Sequence, residues 1–215
     1  MERGFFHDGI TLADVLSDTT YRRLAGRLSA YGHAVTDYQF VKPWLLALIL
    51  STLEATDASF EAIHGIEMYF LAQSGEKQII ELEGFSYQID LFEGFSGEVQ
   101  EQFLLSAIDP YPGEADSERI AEDLELLHEL WISGNWEVFQ TFSENLKALT
   151  AHIPGYNERF WNERSQNMAR RIESFLTEGD GKTYFVIIGA GHLSGERGLV
   201  KLLREAGYRV EQITG

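Results

Sequence analysis

With 215 residues, of which 44% are hydrophobic, 13% aromatic and 24% charged, the chain can bury a substantial core and has a globular rather than a disordered or fibrous composition. Its 17 Lys and Arg stand against 34 Asp and Glu, a formal net charge of -17, so a nucleic acid backbone would be repelled over most of the surface. The absence of cysteine excludes disulfides, thiolate nucleophiles and thiolate metal sites.

One domain over residues 1–215 is expected. Met1 to Ile10 has neither the basic start nor the apolar centre of a signal peptide, and composition assigns no compartment. Thr11 suits the N-cap of a helix over Leu12 to Leu16, and Asp18 or Thr19 the cap of a second that runs to Tyr31 and stops at Gly32. Lys42-Pro43-Trp44 opens an apolar helix with Pro43 in its first turn. The apolar run Pro43 to Leu53 falls short of the ~18 residues that mark a membrane span, so a buried helix is expected and no span. Asp57 to Gly75 reads as a further helix. Lys77 to Leu82 reads as a short strand, β-prone at Gln78-Ile79-Ile80 and bounded by Gly75 and Gly84. Ser86 to Phe92 and Gly97 to Ile108 are helical, Pro110-Tyr111-Pro112-Gly113 is a loop, and amphipathic patterns cover Ser117 to Trp131, Trp136 to His152 and Gly155 to Leu176. The acidic surplus, densest from Glu114 to Glu129, reads as a solvated helix face.

The tail changes character. Thr183 to Ile188 is β-branched and aromatic, Leu193 to Ala206 helical, and Tyr208 to Ile213 β-prone again, the order of a βαβ unit with parallel strands. The expected class is therefore α/β: a helix-rich fold with a small, incomplete sheet from 77–84 and 182–215, and a large helical cap from 9–75 and 86–177. Three strands leave edges uncovered, so association into a homodimer through a sheet edge is expected.

At the carboxyl end of the first tail strand lies Gly189-Ala190-Gly191-His192, where the mouth of a helix starting near Ser194 or Gly195 would present free N–H groups. Gly189 and Gly191 let the backbone approach a ligand, and His192 offers a nitrogen. A metal, a phosphate or a carboxylate could each bind there. The third glycine of a dinucleotide fingerprint is missing, which disfavours a nucleotide fold. Glu81 and Glu83 end the other strand, and alternation places both on one face. His192 and Glu83 suit a metal chemically, yet two groups do not fill a tetrahedral site. His64, His128 and His152 lie at unrelated spacings, and neither Ser165 nor Ser194 lies in a Gly-x-Ser-x-Gly elbow, which argues against a serine hydrolase. Arg164 can serve simply as a partner for a carboxylate. Trp131, Trp136, Phe139, Phe142, Phe160 and Trp161 recur at helical spacing and read as core.

The run from Phe185 to Gly195, followed by Gly198-Leu199, Leu202-Leu203 and Ala206-Gly207-Tyr208-Arg209-Val210, resembles the closing signature of the TraB/PrgY/GumN family, which includes the TIKI-type metalloproteases. Upstream, Lys42-Pro43-Trp44, Gly65-Ile66-Glu67, Leu82-Glu83 with Gln88, and Glu163-Arg164 with Met168-Ala169 resemble further family segments, so the likeness covers most of the chain from about Gly9 onward.

The resemblance implies a bacterial-type, EreA/ChaN-like α/β fold and, as in TIKI-type members, hydrolysis of a peptide or related polymer with a divalent metal such as Mn²⁺, Co²⁺ or Zn²⁺. Such members use two Gly-x-x-His motifs with a glutamate and an arginine. Gly189 to His192 matches the second motif, Glu83 the glutamate and Arg164 the arginine. The implied roles are His192 and Glu83 at the metal, Glu83 also as base, and Arg164 on the developing oxyanion. Three departures stand out. Gly4-Phe5-Phe6-His7 has the spacing of the first motif but lies outside a strand, so that motif and the opening strands are taken as lacking from a shortened chain. The family's Arg-Asn is Arg164-Ser165 here, and its Asp is Glu67. The alternative implied is a non-catalytic peptide-binding or regulatory module, like the pheromone-shutdown role associated with PrgY and TraB.

Overall fold

The computed structural model describes residues 2–57, 60–109, 117–178 and 181–213. Within them the chain forms ten α-helices, several 3-10 turns and one π-helical turn. It divides into two compact units, Met1–Glu61 with Phe85–Glu125 and Ala62–Gly84 with Leu126–Gly215.

The first unit is built from α1 (Leu12–Val15), α2 (Asp18–Ala30), α3 (Pro43–Asp57), α5 (Phe85–Glu93) and α6 (Gly97–Ile108). Short polar side chains start its helices: the Asp14 carboxylate accepts from both the backbone N–H and the hydroxyl of Thr11, each at 2.8 Å, and Ser17 Oγ accepts from Thr20 N at 3.2 Å. Ser17 thus takes the capping place expected of Asp18 or Thr19. The chain turns out of α2 through Gly32, whose φ of +78° suits a residue without Cβ. The apolar faces of α3 and α6 pack on one another, and Leu12, Leu24, Leu28, Leu46, Leu50 and Leu104 are wholly buried there. Glu101 of α6 fastens α2 by accepting from Ser17 Oγ at 2.7 Å and Thr20 Oγ1 at 2.5 Å.

The second unit holds α4 (Ile66–Ala72), the C-terminal part of α7 (Ser117–Ser133) from Leu126 onward, α8 (Trp136–Leu149), a π-helical turn Glu158–Glu163 that runs straight into α9 (Arg164–Thr177), and α10 (Leu199–Glu205). Met168 and Ala169 of α9 and Leu199 of α10 form one buried cluster in it, with Leu82, Ile172, Ile188, Leu193 and Leu202 packed against them.

The α/β expectation is overturned. Among the described residues there is no sheet, and the β-pairing present is a single antiparallel bridge between Phe5 and Val41. The three β-prone runs, 77–82, 183–188 and 208–213, are without regular structure and pair with no neighbouring strand. β-propensity measures how well a side chain fits a half-buried pleated surface, and adjoining strands must supply that surface. Here Ile79 is 61% exposed, Phe185 70% and Ile213 94%, and the backbone groups complete no ladder, although Leu82 and Ile188 at the ends of two of the runs pack on helices. The βαβ tail, the EreA/ChaN-like sheet and the sheet edge invoked for association fall with it.

The helix expected over Leu193 to Ala206 begins at Leu199. Gly195, at a φ of +91°, interrupts it, and Gly198 is sealed in, since a Cβ there would lie 2.5 Å from the carbonyl oxygens of Leu193 and Ser194. The Asp57 to Gly75 helix resolves into a 3-10 turn Ala62–His64 and α4, with 58–59 outside the described residues. The Pro110 to Gly113 loop and the start of the acidic stretch at Glu114 also lie outside them. No helix among the described residues is long and apolar enough to cross a membrane.

Candidate functional site

Gly189 leads into a 3-10 turn, Ala190–His192, closed by His192 N donating to Gly189 O and Leu193 N to Ala190 O, both at 2.9 Å. Ile188 before the turn and Leu193 after it both pack against the Met168, Ala169 and Leu199 cluster, and so does Leu82, the neighbour of Glu83. One apolar cluster therefore anchors the two segments from which the carboxylate and the imidazole project.

Both side chains meet the first turn of α9. Arg164 Nε donates to Glu83 Oε1 and Oε2 at 3.1 and 3.0 Å, and its Nη2 donates to Oε2 at 2.7 Å. The pair is largely buried, with side chains 11% and 8% exposed, and the guanidinium lies 4.9 Å from the centre of the Phe160 ring. Charge-assisted bonds in such a setting are short and strong, and either partner alone would be an uncompensated buried charge. The next residue, Ser165, receives the histidine: its Oγ lies 3.0 Å from His192 Nδ1, and both residues are buried. Burial, followed by the positive charges of Arg164 and Lys147, pushes the His192 pKa down to about 4, so the imidazole is neutral at pH 7.

The π-helical turn sets the aromatic side of this arrangement. A π turn widens the helix and shifts the facing of residues before it relative to those after it, and such turns recur at functional sites. Here it carries Phe160 and Trp161. The Trp161 ring centre lies 5.1 Å from that of His192, and a Cβ on Gly191 would meet Trp161 Cζ3 at 3.0 Å. Gly191 thus admits the indole, whereas Gly189 is exposed and meets nothing tighter than His192 Cδ2 at 3.9 Å. Tyr156 stacks on Phe160 at 5.0 Å, and burial raises its phenol pKa against the opposing pull of Arg164.

Sequence reasoning missed Lys147. Its Nζ donates to Gly191 O at 2.8 Å and Ser194 O at 3.1 Å, and lies 5.0 Å from the centre of the Trp161 ring. Ser194 Oγ bonds Ser143 Oγ at 2.7 Å, both residues being buried. A signal was present, for Phe139, Ser143 and Lys147 recur every four residues and share one face of α8. Asn157 ties the end of α8 to the π turn, its Nδ2 donating to Lys147 O at 2.8 Å while its Oδ1 accepts from Thr150 Oγ1 at 2.7 Å.

None of the other candidates contributes a hydrogen bond described above. His64, His128, His152 and Glu67 are exposed, and His7 of the Gly4 to His7 run and Gln88 are exposed in the first unit. Among the described residues no three His, Asp or Glu side chains converge as a metal would require.

The family model described as TraB/PrgY/gumN matches residues 1–212. A metalloprotease TIKI1 of Danio rerio is 41% identical over 49 residues, which is 23% of this chain and 10% of that protein. A metalloprotease TIKI2 of Xenopus tropicalis is 41% identical over 49 residues, 23% of this chain and 9% of its own length. A metalloprotease TIKI homolog of Amphimedon queenslandica is 39% identical over 51 residues, 24% of this chain and 10% of its own length. The matched stretch thus spans about a tenth of these relatives. No solved structure matches.

Proposed function

This chain belongs to the TraB/PrgY/gumN family, and from that premise we propose a peptide-directed, hydrolase-type function centred on His192, Arg164 and Glu83. The observation that carries it is the convergence on two adjacent residues of α9, where Arg164 takes the Glu83 carboxylate and Ser165 takes the His192 imidazole. The similarity to proteins named metalloproteases TIKI1 and TIKI2 supports peptide cleavage as the activity to test first.

In this reading Arg164 supplies a fixed positive charge toward an oxyanion developing on a peptide carbonyl, and Glu83 orients the guanidinium by its fork of hydrogen bonds. His192, neutral and held through Nδ1, presents Nε2 as the ring nitrogen for a ligand or a proton. A divalent ion, the cofactor that the relatives' names bring with them, does not fit these donors. His192 gives one nitrogen, and both Glu83 oxygens are already engaged by Arg164. Mn²⁺, Co²⁺ or Zn²⁺ would need donors beyond this pair, and no step is assigned to a metal.

That same engagement of Glu83 favours the second reading, a peptide-binding or regulatory module without catalysis. Incubating the chain with a quenched fluorescent peptide library, with and without Mn²⁺, Co²⁺ or Zn²⁺, separates the two. Cleavage that disappears in His192→Ala supports the hydrolase. Saturable binding that survives chelation, without cleavage, supports the module. Neither binding nor cleavage under any condition rejects both.

A further inference from the structure

We propose that Lys147 is a positioning residue for His192: its ammonium grips the turn on both sides of the histidine and so fixes the imidazole against Ser165. Its functional meaning rests on His192 being a working residue of the peptide-directed site.

The geometry is specific. Gly191 immediately precedes His192 and Ser194 follows two residues later, and Lys147 Nζ donates to the carbonyls of both, at 2.8 and 3.1 Å. Its third contact, 3.4 Å, is with Ser194 Oγ, so the three N–H donors of the ammonium meet three oxygens of one turn. Without the ammonium the Ser194 carbonyl would lose this donor and Gly191 O would keep only Ser194 Oγ at 3.3 Å, a looser hold on the turn. The cation also lies 5.0 Å from the Trp161 ring centre, and that ring is 5.1 Å from His192, so ammonium and imidazole are set against the same indole.

Lys147 meets neutral oxygens here rather than a carboxylate, and burial lowers its pKa. A cation used only for stability is more simply placed in an exposed ion pair. Desolvating it over a histidine-bearing turn has a cost that registration of that turn explains. The hydroxyls of Ser143 and Ser194 do not make this a serine–lysine nucleophile, because Lys147 Nζ is spent on the Gly191 and Ser194 carbonyls at 2.8 and 3.1 Å and stands 3.4 Å from Ser194 Oγ. They complete the grip instead, Ser194 Oγ standing 2.7 Å from Ser143 Oγ on the same face of α8.

The test is nuclear magnetic resonance of the ¹³C,¹⁵N-labelled full chain at pH 7, in wild type, Lys147→Met and Lys147→Arg, with thermal unfolding in parallel. In wild type the His192 ring nitrogens should report one dominant tautomer, locked by Ser165. In Lys147→Met the two nitrogens should average, and the Leu193 amide should exchange about tenfold faster or more, as expected on losing charge-assisted bonds. Lys147→Arg, which keeps charge and donors, should restore both. A merely structural lysine would lower the unfolding temperature of Lys147→Met and leave the tautomer untouched; that result overturns the proposal. Should Lys147→Met not fold, the wild type decides, for a scalar coupling across the bond from Lys147 Nζ to the Gly191 carbonyl carbon is required, and its absence is fatal. A wild type with the coupling and the locked tautomer that neither binds nor cleaves peptides leaves the grip standing and removes the function.

Discussion

The two units bury different kinds of side chain. In the first, the buried interior is a leucine-rich contact between helices, and Thr20 is the one buried polar residue among those described. In the second, Ser143, Ser165, His192 and Ser194 are all buried around one turn, beside the Met168, Ala169 and Leu199 cluster. A leucine core needs only volume and shape, so it is tolerant of exchange. A buried polar group needs a particular partner at a particular angle, and it makes its surroundings specific. The contrast teaches where to look for chemistry: the second unit gathers its buried polar side chains around one histidine-bearing turn, whereas the first, apart from the Arg27–Glu54 pair, is chiefly scaffold.

The largest expected break comes from the second unit. Arg164→Met leaves Glu83 buried without its partner and should lower the urea-unfolding free energy by about 3–5 kcal/mol, while abolishing peptide binding. Leu46→Ala in the first unit should cost about 3 kcal/mol through cavity formation, yet leave the His192 ring signals and any peptide activity unchanged in the folded protein. If Leu46→Ala moves His192, the division between scaffold and site is wrong.

Acid should sharpen the contrast. The folded pKa of His192, about 4, is depressed below its ordinary 6.5, so the unfolded chain takes up the proton first. The stability tied to the neutral ring is whole above pH 6.5 and is lost as pH falls toward 4, by roughly 3 kcal/mol in total. His192→Gln should flatten that part of the stability profile measured by denaturant unfolding. Ser17→Ala, which removes a helix cap and a bond to the Glu101 carboxylate in the first unit, should cost about 1–2 kcal/mol and leave the His192-linked part of the profile in place. Arg197→Ala, breaking a half-exposed pair with Glu158, should change unfolding by less than about 0.5 kcal/mol.

Much of the helical scaffold was legible in the sequence because its signals are local. Gly97 to Ile108 forms as read, and Pro43, Gly32 and Thr11 act where their backbone preferences place them. The sheet was misread for the opposite reason. Gln78-Ile79-Ile80 and Thr183 to Ile188 have the side chains of strands, but a strand is a property of two segments, and the second is not formed among the described residues. At the site, Glu83, Arg164 and His192 were readable as residue types, and the resemblance to the family placed them together. Their actual wiring was not readable. Glu83 meets Arg164 while His192 meets Ser165, and adjacent residues in a chain give no hint of which long-range partner each will take. Trp161 looked like core because its spacing is helical, and the π turn that aims it at His192 has no sequence signature of its own.

That turn also makes the site sensitive to length rather than to composition. Removing Asn162 would return the segment to ordinary α-helical winding and rotate everything ahead of the lesion by about 100° relative to α9. Arg164 and Ser165 would keep their places, while the indole would swing away from the imidazole. A single-codon deletion there would therefore dissect the aromatic half of the site from its charged half, without altering any residue in contact with Glu83.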